Sequence, residues 1–397
     1  MQALSRHSFV IPTERQSQKA TPPKVLHCVE RMHTNAIESW LVRMHRHMVT
    51  AGQAVDWHFH VQFAQPGLLE TLYPECRPFI IRSPCELSDW RRFFAAFWRV
   101  CHSHKFDVVH IHADLMSAPY LIMARLAGVP RTIVHVHNAD EHIPVGRALR
   151  QRVLREPLRR VCLAMADKIV GNSAHTLDTF LAGRSLRPGC DVVHYYGVDP
   201  TPFENATIDR IALRRELGLP EDALILLFAG RITPEKNPVF AVDVLAELRR
   251  LEPRAVAVFA GAGSLEEAVL TRTQKHGMDD AVRVLGWRSD LPKVMSSSDW
   301  FILPHPERPM EGFGLAVVEA QLAGLRMLLS RGIPDDALLP TAVFRRLPLA
   351  NHPVEWANAA MELLLDGRPA RTVALAALRD SPMDMDRALD GLIRLHA

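Results

Sequence analysis

From Pro22-Pro23 onward the chain repeats one pattern: a short apolar run, a polar loop, then a stretch with apolar positions every three or four residues. Val25-Leu26-His27-Cys28-Val29 is the first run, and a helical pattern from Ala36 to Thr50 follows it. Runs over 56–63, 79–81, 108–111, 132–136, 168–171 and 192–195 predict further strands, with helix-length stretches between most of them. The runs are too apolar to keep one face in water, so they predict a parallel sheet covered by helices on both sides. Gly197-Val198-Asp199-Pro200-Thr201-Pro202 interrupts the pattern and predicts a linker. Strands over 224–229, 255–260, 282–285, 300–303 and 326–329 then alternate with helices over 239–250, 264–276 and 315–323, a second doubly wound sheet. Open parallel sheets bind ligands beyond the carboxyl ends of their strands, so two such domains on a short linker are expected to face each other across a cleft.

The length, 397 residues, agrees with two domains at roughly 150 residues each. Apolar residues make up 48% and charged residues 23%, ordinary values for a packed globular chain. The net charge of +3 is too small to argue for a nucleic-acid partner. The six cysteines lie in the first half with no CxxC pair, which predicts reduced thiols. No apolar run is long enough to span a membrane, and residues 1–23 lack the apolar core of a signal peptide. The chain therefore reads as cytoplasmic, with a disordered tail over 1–23.

Two segments carry the chemistry. Glu311-Gly312-Phe313-Gly314-Leu315 runs straight into the apolar helix that contains Glu319, so its backbone can turn tightly and aim helix-terminal N–H groups at an anion. Carboxylates repel phosphate, so Glu311 and Glu319 are better suited to sugar hydroxyls. Gly230-Arg231-Ile232-Thr233-Pro234-Glu235-Lys236 follows the strand 224–229, which puts an Arg fork and a Lys point charge at a strand's carboxyl end. These are the usual means of holding a diphosphate and stabilising charge as it leaves. A Gly-rich loop with a solvated helix face, and a loop salt bridge from Glu235 to Arg231, are the plain alternatives.

With these segments go Asp107-Val108-Val109-His110-Ile111-His112, Arg125-Leu126-Ala127-Gly128-Val129-Pro130, Val134-His135-Val136-His137-Asn138 and Leu285-Gly286-Trp287-Arg288-Ser289-Asp290. From about 24 to 366 the chain resembles a family 4 glycosyltransferase of the GT-B fold, of the exopolysaccharide-synthesis type. The resemblance implies a retaining, metal-independent transfer of a hexosyl-type sugar from a nucleotide diphosphate donor to a glycan or lipid-linked acceptor, with no cofactor. It implies an acceptor-side domain over 24–198, a donor-binding domain over 199–378 and a last helix, 379–397, crossing back to the first domain. Arg231 and Lys236 would hold the diphosphate, and Glu319 the ribose. Glu311 with the amides of Phe313 to Leu315 would hold the donor sugar, and His137 would stand beside the reacting sugar. Gly230, Arg288, Gly312 and Gly314 complete the donor side.

The first loop departs from the family. Where a Gly-Gly pair precedes a Glu, this chain has Asn35-Ala36 ahead of Glu38. Asn tolerates a left-handed backbone, so Asn35 is expected to keep the turn, while Ala36 adds a methyl group where backbone should approach phosphate. A degenerate nucleotide-binding protein without turnover is therefore a second reading. Tyr196 replaces the Asn more often found there, a change read as neutral.

His110, His112 and Asp114 alternate along one strand end and His135 and His137 along another, so each set shares a sheet face. A metal cluster, as in a metal-dependent hydrolase, is the alternative to simple cleft lining. In the helix expected over 87–104, Trp90, Phe94, Phe97, Trp98 and Cys101 form one stripe with the arginines off it. Packing on the sheet is one reading, and peripheral contact with the inner face of the cytoplasmic membrane is the other.

Overall fold

The computed structural model describes residues 22–33, 35–54, 56–139, 148–206 and 208–397, with backbone alone for 148–152. The expected tail lies outside the described residues except for Pro22 and Pro23, which carry no regular structure. The chain forms two compact units, one running to Gly197 and resuming at Met385–Ala397, the other Val198–Asp384.

The first unit is a seven-stranded, all-parallel sheet of order β3-β2-β1-β4-β5-β6-β7. Its strands are β1 (Lys24–Val29), β2 (Asp56–Val61), β3 (Ile80–Arg82), β4 (Val108–Ile111), β5 (Arg131–Val136), β6 (Lys168–Gly171) and β7 (Asp191–Val193). The two faces of its centre differ in chemistry. Leu26, Cys28, Val109, Ile111, Val134 and Val136 point into an apolar core with Phe93, Phe97 and Tyr120. By the two-residue alternation of a strand, His27, His110, His112, His135 and His137 lie on the opposite face, and all five are buried.

The helix Trp90–His104 buries Phe93, Phe94, Phe97 and Cys101 in that core, so packing takes up most of its apolar stripe. Trp90 stays outside it, 58% exposed. Helix Met385–His396 returns to this unit because its apolar positions Met385, Ala388, Leu389, Leu392 and Leu395 are buried there. Lys168 Nζ donates to the Leu395 carbonyl at 2.9 Å, and His194 Nε2 lies 2.8 Å from the Ala388 carbonyl. Among the described residues no helix is long and apolar enough to cross a membrane.

The second unit is a six-stranded parallel sheet of order β10-β9-β8-β11-β12-β13. The strands are β8 (Leu224–Ala229), β9 (Ala255–Ala260), β10 (Val282–Gly286), β11 (Trp300–Leu303), β12 (Arg326–Ser330) and β13 (Phe344–Leu347). Strand β13 has no counterpart in the sequence reading. Phe344-Arg345-Arg346-Leu347 is too polar to register as a buried run, and an edge position tolerates it because Arg345 reaches Asp366 at 2.9 Å. The expected linker contains a helical turn, Thr201–Glu204.

Strand order reverses between β1 and β4 in one unit and between β8 and β11 in the other, and such switch points are where open α/β sheets bind ligands. The pairing of β8 with β9 runs through all six residues, whereas β8 and β11 pair only at Leu226↔Trp300 and Leu227↔Phe301. The carboxyl ends of β8 and β11 are thus outside the ladder. On the other side, Gly230 N donates to the Ala260 carbonyl at 3.0 Å and Ile232 N to the Ala262 carbonyl at 3.0 Å, keeping the two loops side by side. Gly261, at φ 150°, allows this, since a Cβ there would fall 1.9 Å from the Gly230 oxygen. Gly261→Ala is expected to destabilise the protein by about 2 kcal/mol or more, a backbone clash with nowhere to relax. A urea midpoint equal to wild type would refute this account of the loop pair.

Candidate functional site

The loop after β8 begins at Gly230, whose φ of 144° suits glycine, and passes exposed Arg231 into a helical turn, Pro234–Lys236. Asn237, left-handed at φ 50°, then starts helix Pro238–Leu251. The loop after β11 runs from Pro304 to Gly314. Gly332 holds it down, accepting from Glu311 N at 2.8 Å and lying so close that a Cβ would meet the Pro306 oxygen at 2.0 Å. Gly314 ends the loop at φ 95° and, having no side chain, caps helix Leu315–Leu322 without a side-chain cap bond. Phe313 is buried, and Gln321 binds the Ala337 carbonyl and the Leu339 amide at 2.8 Å each, fixing the helix from behind.

The two loops meet in an ion pair between Lys236 Nζ and Glu311 Oε2, both side chains mostly buried. His305 Nε2 stands 3.5 Å from the same oxygen while its Nδ1 faces the Pro306 carbonyl at 2.9 Å. Burial alone would raise the Glu311 carboxyl. Lys236, His305 and then Arg231 outweigh it and bring the group down to about 2. Glu311 is therefore an anion at any working pH, a pure acceptor beside a cation and in front of a helix N-terminus. Such a site can hold hydroxyls and phosphate oxygens next to one another.

The structure brings together Lys236 and Glu311, places Arg231 within their field, and sets Gly312, Phe313, Gly314 and Leu315 along the same loop and helix start. Glu319 is half-buried in that helix. The Arg288 guanidinium lies 2.7 Å from both Asp290 and Glu216, which hold it charged. His305 was missed by the sequence reading. Its position two residues past the end of β11 was the available signal.

In the first unit, His137 follows β5 and is fully engaged: Nδ1 lies 2.7 Å from the Tyr196 hydroxyl and Nε2 2.8 Å from His112 Nδ1. Asp114 accepts the His137 amide at 2.8 Å and the Asn138 side chain at 2.8 Å, and Asn172 Nδ2 donates to the His137 carbonyl at 3.0 Å. Burial first, then His112 and His194, hold the His137 ring well below the usual imidazole range, so it is neutral. Tyr196 supplies the hydroxyl that fixes the His137 ring.

The first loop corrects another expectation. Asn35 is not left-handed: it has φ −77° and ψ 163° as N-cap of helix Ala36–Thr50, the extended backbone that position favours, and its side chain makes no cap bond. Asn35 and Ala36 are both exposed, and Thr34 lies outside the described residues. Glu38, in the first turn, is buried. Burial raises its carboxyl to about 7 against the pull of the backbone amides of Glu38, Arg31 and Glu30, and Oε2 has no hydrogen-bond partner among the described residues.

Residues 32–197 match the family description "Glycosyl transferase 4-like domain", and 209–336 match "Glycosyl transferases group 1". A D-inositol 3-phosphate glycosyltransferase of Stackebrandtia nassauensis is 32% identical over 290 residues, 69% of this chain and 63% of that protein, so the match spans under two thirds of the relative's length. The UDP-Gal:alpha-D-GlcNAc-diphosphoundecaprenol alpha-1,3-galactosyltransferase of Escherichia coli is 27% identical over 277 residues, 66% of this chain and 68% of that protein. Among solved structures, HepE of Anabaena in complex with UDP-glucose superposes with a TM-score of 0.76 at 18% identity, covering 94% of this chain and 99% of that one, which shows a shared fold.

The raised Glu38 carboxyl makes stability depend on pH. Its contribution is fully present below the unfolded value, near 4.5, and is lost as pH rises through about 7. Between pH 4 and pH 8, Glu38→Gln is expected to gain roughly 2 to 3 kcal/mol relative to wild type. Urea unfolding at several pH values measures this, and parallel profiles for the two proteins would refute the assignment.

Proposed function

Because this chain belongs to the family 4 glycosyltransferases of the GT-B fold, we propose that it moves a hexosyl-type sugar from a nucleotide diphosphate donor to a glycan or lipid-linked acceptor in polysaccharide synthesis. The observation that carries the donor class is the Lys236–Glu311 pair in front of the Gly314-capped helix, where β8 and β11 part. A cation for phosphate and a permanent carboxylate for hydroxyls lie side by side there, and in a nucleotide sugar the glycosyl ring is bonded directly to phosphate. Arg231 and Lys236 take the diphosphate, the first-turn amides of helix Leu315–Leu322 assist, Glu311 takes the sugar hydroxyls and Glu319 the ribose.

In the reaction the bond from the anomeric carbon to the phosphate oxygen breaks and a bond to the acceptor oxygen forms on the same face. The departing phosphate oxygen takes the acceptor's proton. No side chain need act as nucleophile, and none needs a metal ion: the protein supplies position and charge. Neutral His137, held by Tyr196 and His112, offers a fixed polar edge to the reacting sugar rather than a free base. The relatives' names point to UDP-hexoses as the first donors to test, and to an undecaprenol-linked acceptor, which would bring the protein to the inner face of the cytoplasmic membrane.

Arg231→Ala and Lys236→Ala are each expected to lower turnover on the order of 10² to 10³-fold in steady-state transfer or donor hydrolysis, the usual loss for a donor aimed at developing charge. Wild-type rates in both variants would remove the diphosphate assignment. Absence of turnover by the unmodified chain across a nucleotide-sugar panel would support the binding-only reading instead.

The two carboxylates separate in calorimetry with free UDP. Glu311→Ala should bind it nearly as wild type does and Glu319→Ala more weakly, and the opposite order would exchange their roles.

A further inference from the structure

Strand pairing sets His27 opposite His110 on the buried polar face of the first sheet, and the returning helix delivers His396 to the same spot from near the chain end. The three ring centroids form a nearly equilateral triangle, with 5.1 Å between His27 and His110, 5.3 Å between His27 and His396 and 5.2 Å between His110 and His396. One ring nitrogen from each lies within 4.8 Å of the others. Three imidazoles bound to one tetrahedral ion through bonds of about 2.0 to 2.1 Å have centroids about 5.2 Å apart. The His396 ring is inclined by 68° and 81° to its partners, so the rings do not stack face to face, an arrangement in which lone pairs cannot converge.

The second observation is unpaired chemistry. Among the described residues, His27 Nε2, His110 Nε2 and His396 Nδ1 are buried with no hydrogen-bond partner. Each ring's other nitrogen is engaged, His27 Nδ1 with His112 Nε2 at 3.0 Å and His110 Nδ1 with His396 Nε2 at 2.9 Å. Buried polar atoms are rarely left unpartnered, and three together from three separate chain segments call for a ligand.

We propose that His27, His110 and His396 bind a borderline divalent transition ion, zinc foremost, that pins the C-terminal helix to the centre of the first sheet. Imidazole is the ligand such ions favour, and all three rings are held neutral by burial, the form that offers a lone pair. Loading releases no proton: each neutral ring gives the ion its bare nitrogen and keeps one N–H on the other, and the His110–His396 hydrogen bond is given up. The site is structural and takes no part in sugar transfer.

The test is metal content of the full-length chain after incubation with Zn²⁺ and desalting, with Co²⁺ as the visible probe. The expected result is one equivalent of Zn²⁺, a tetrahedral Co²⁺ spectrum and a raised Tm, all lost in His27→Gln and His396→Gln and kept in His102→Gln, an exposed histidine. Two results overturn the proposal. One is wild-type protein that takes up no stoichiometric ion. The other is uptake that survives His396→Gln but is lost in His135→Gln, which would move the ion to the neighbouring His110, His112, His135 group. Circular dichroism of each variant separates loss of the ion from loss of the fold, and the wild-type measurement decides the question even if a variant does not fold.

Discussion

The candidate donor site depends on the parting of β8 from β11. The chain runs from β8 outward through β9 and β10, and the next strand returns to the far side of β8, so two loops leave adjacent strand ends in opposite directions. With only two residue pairs joining those strands, their ends leave room for groups from both loops. Lys236 comes from one loop and Glu311 from the other, 75 positions apart, and neither loop alone makes a site.

Electrostatics follows from that placement. A carboxylate as buried as Glu311 would ordinarily be driven toward its neutral form. Lys236, His305 and Arg231 reverse the sign, giving a group that accepts hydrogen bonds and does not donate them. Glu38, equally a buried carboxylate, has no cation among the groups that set its charge and goes the other way, to about 7. Residue type is the same in both cases, and the neighbours decide the charge.

The first unit applies the same switch-point geometry to a different set of groups. One face of its central strands is apolar core, and the other collects imidazoles whose hydrogen bonds run from Tyr196 through His137 and His112 to His27. That chain of contacts holds His137 in one orientation, which is why the Tyr at 196 matters more than a family comparison of single positions reveals. Trp40, from the helix after β1, packs its ring against His112, His135 and Tyr196 and seals the face.

Hydrophobic periodicity is local, so the sequence by itself determined twelve of the thirteen strands among the described residues, the two-sheet architecture and the loops that carry Arg231, Lys236 and Glu311. It missed β13 because an edge strand needs little apolar character. The resemblance supplied roles for those residues, though it could not show that Arg288 is tied to Asp290 and Glu216. Only the tertiary structure decided that Asn35 caps a helix in extended backbone, that the Glu311 carboxyl is held down while that of Glu38 is raised to about 7, and that His396 reaches His110 across 286 positions. Period and turn chemistry are written over a few consecutive residues. The ionisation of a buried group and the convergence of distant side chains depend on which surfaces pack together, and only the folded chain establishes that.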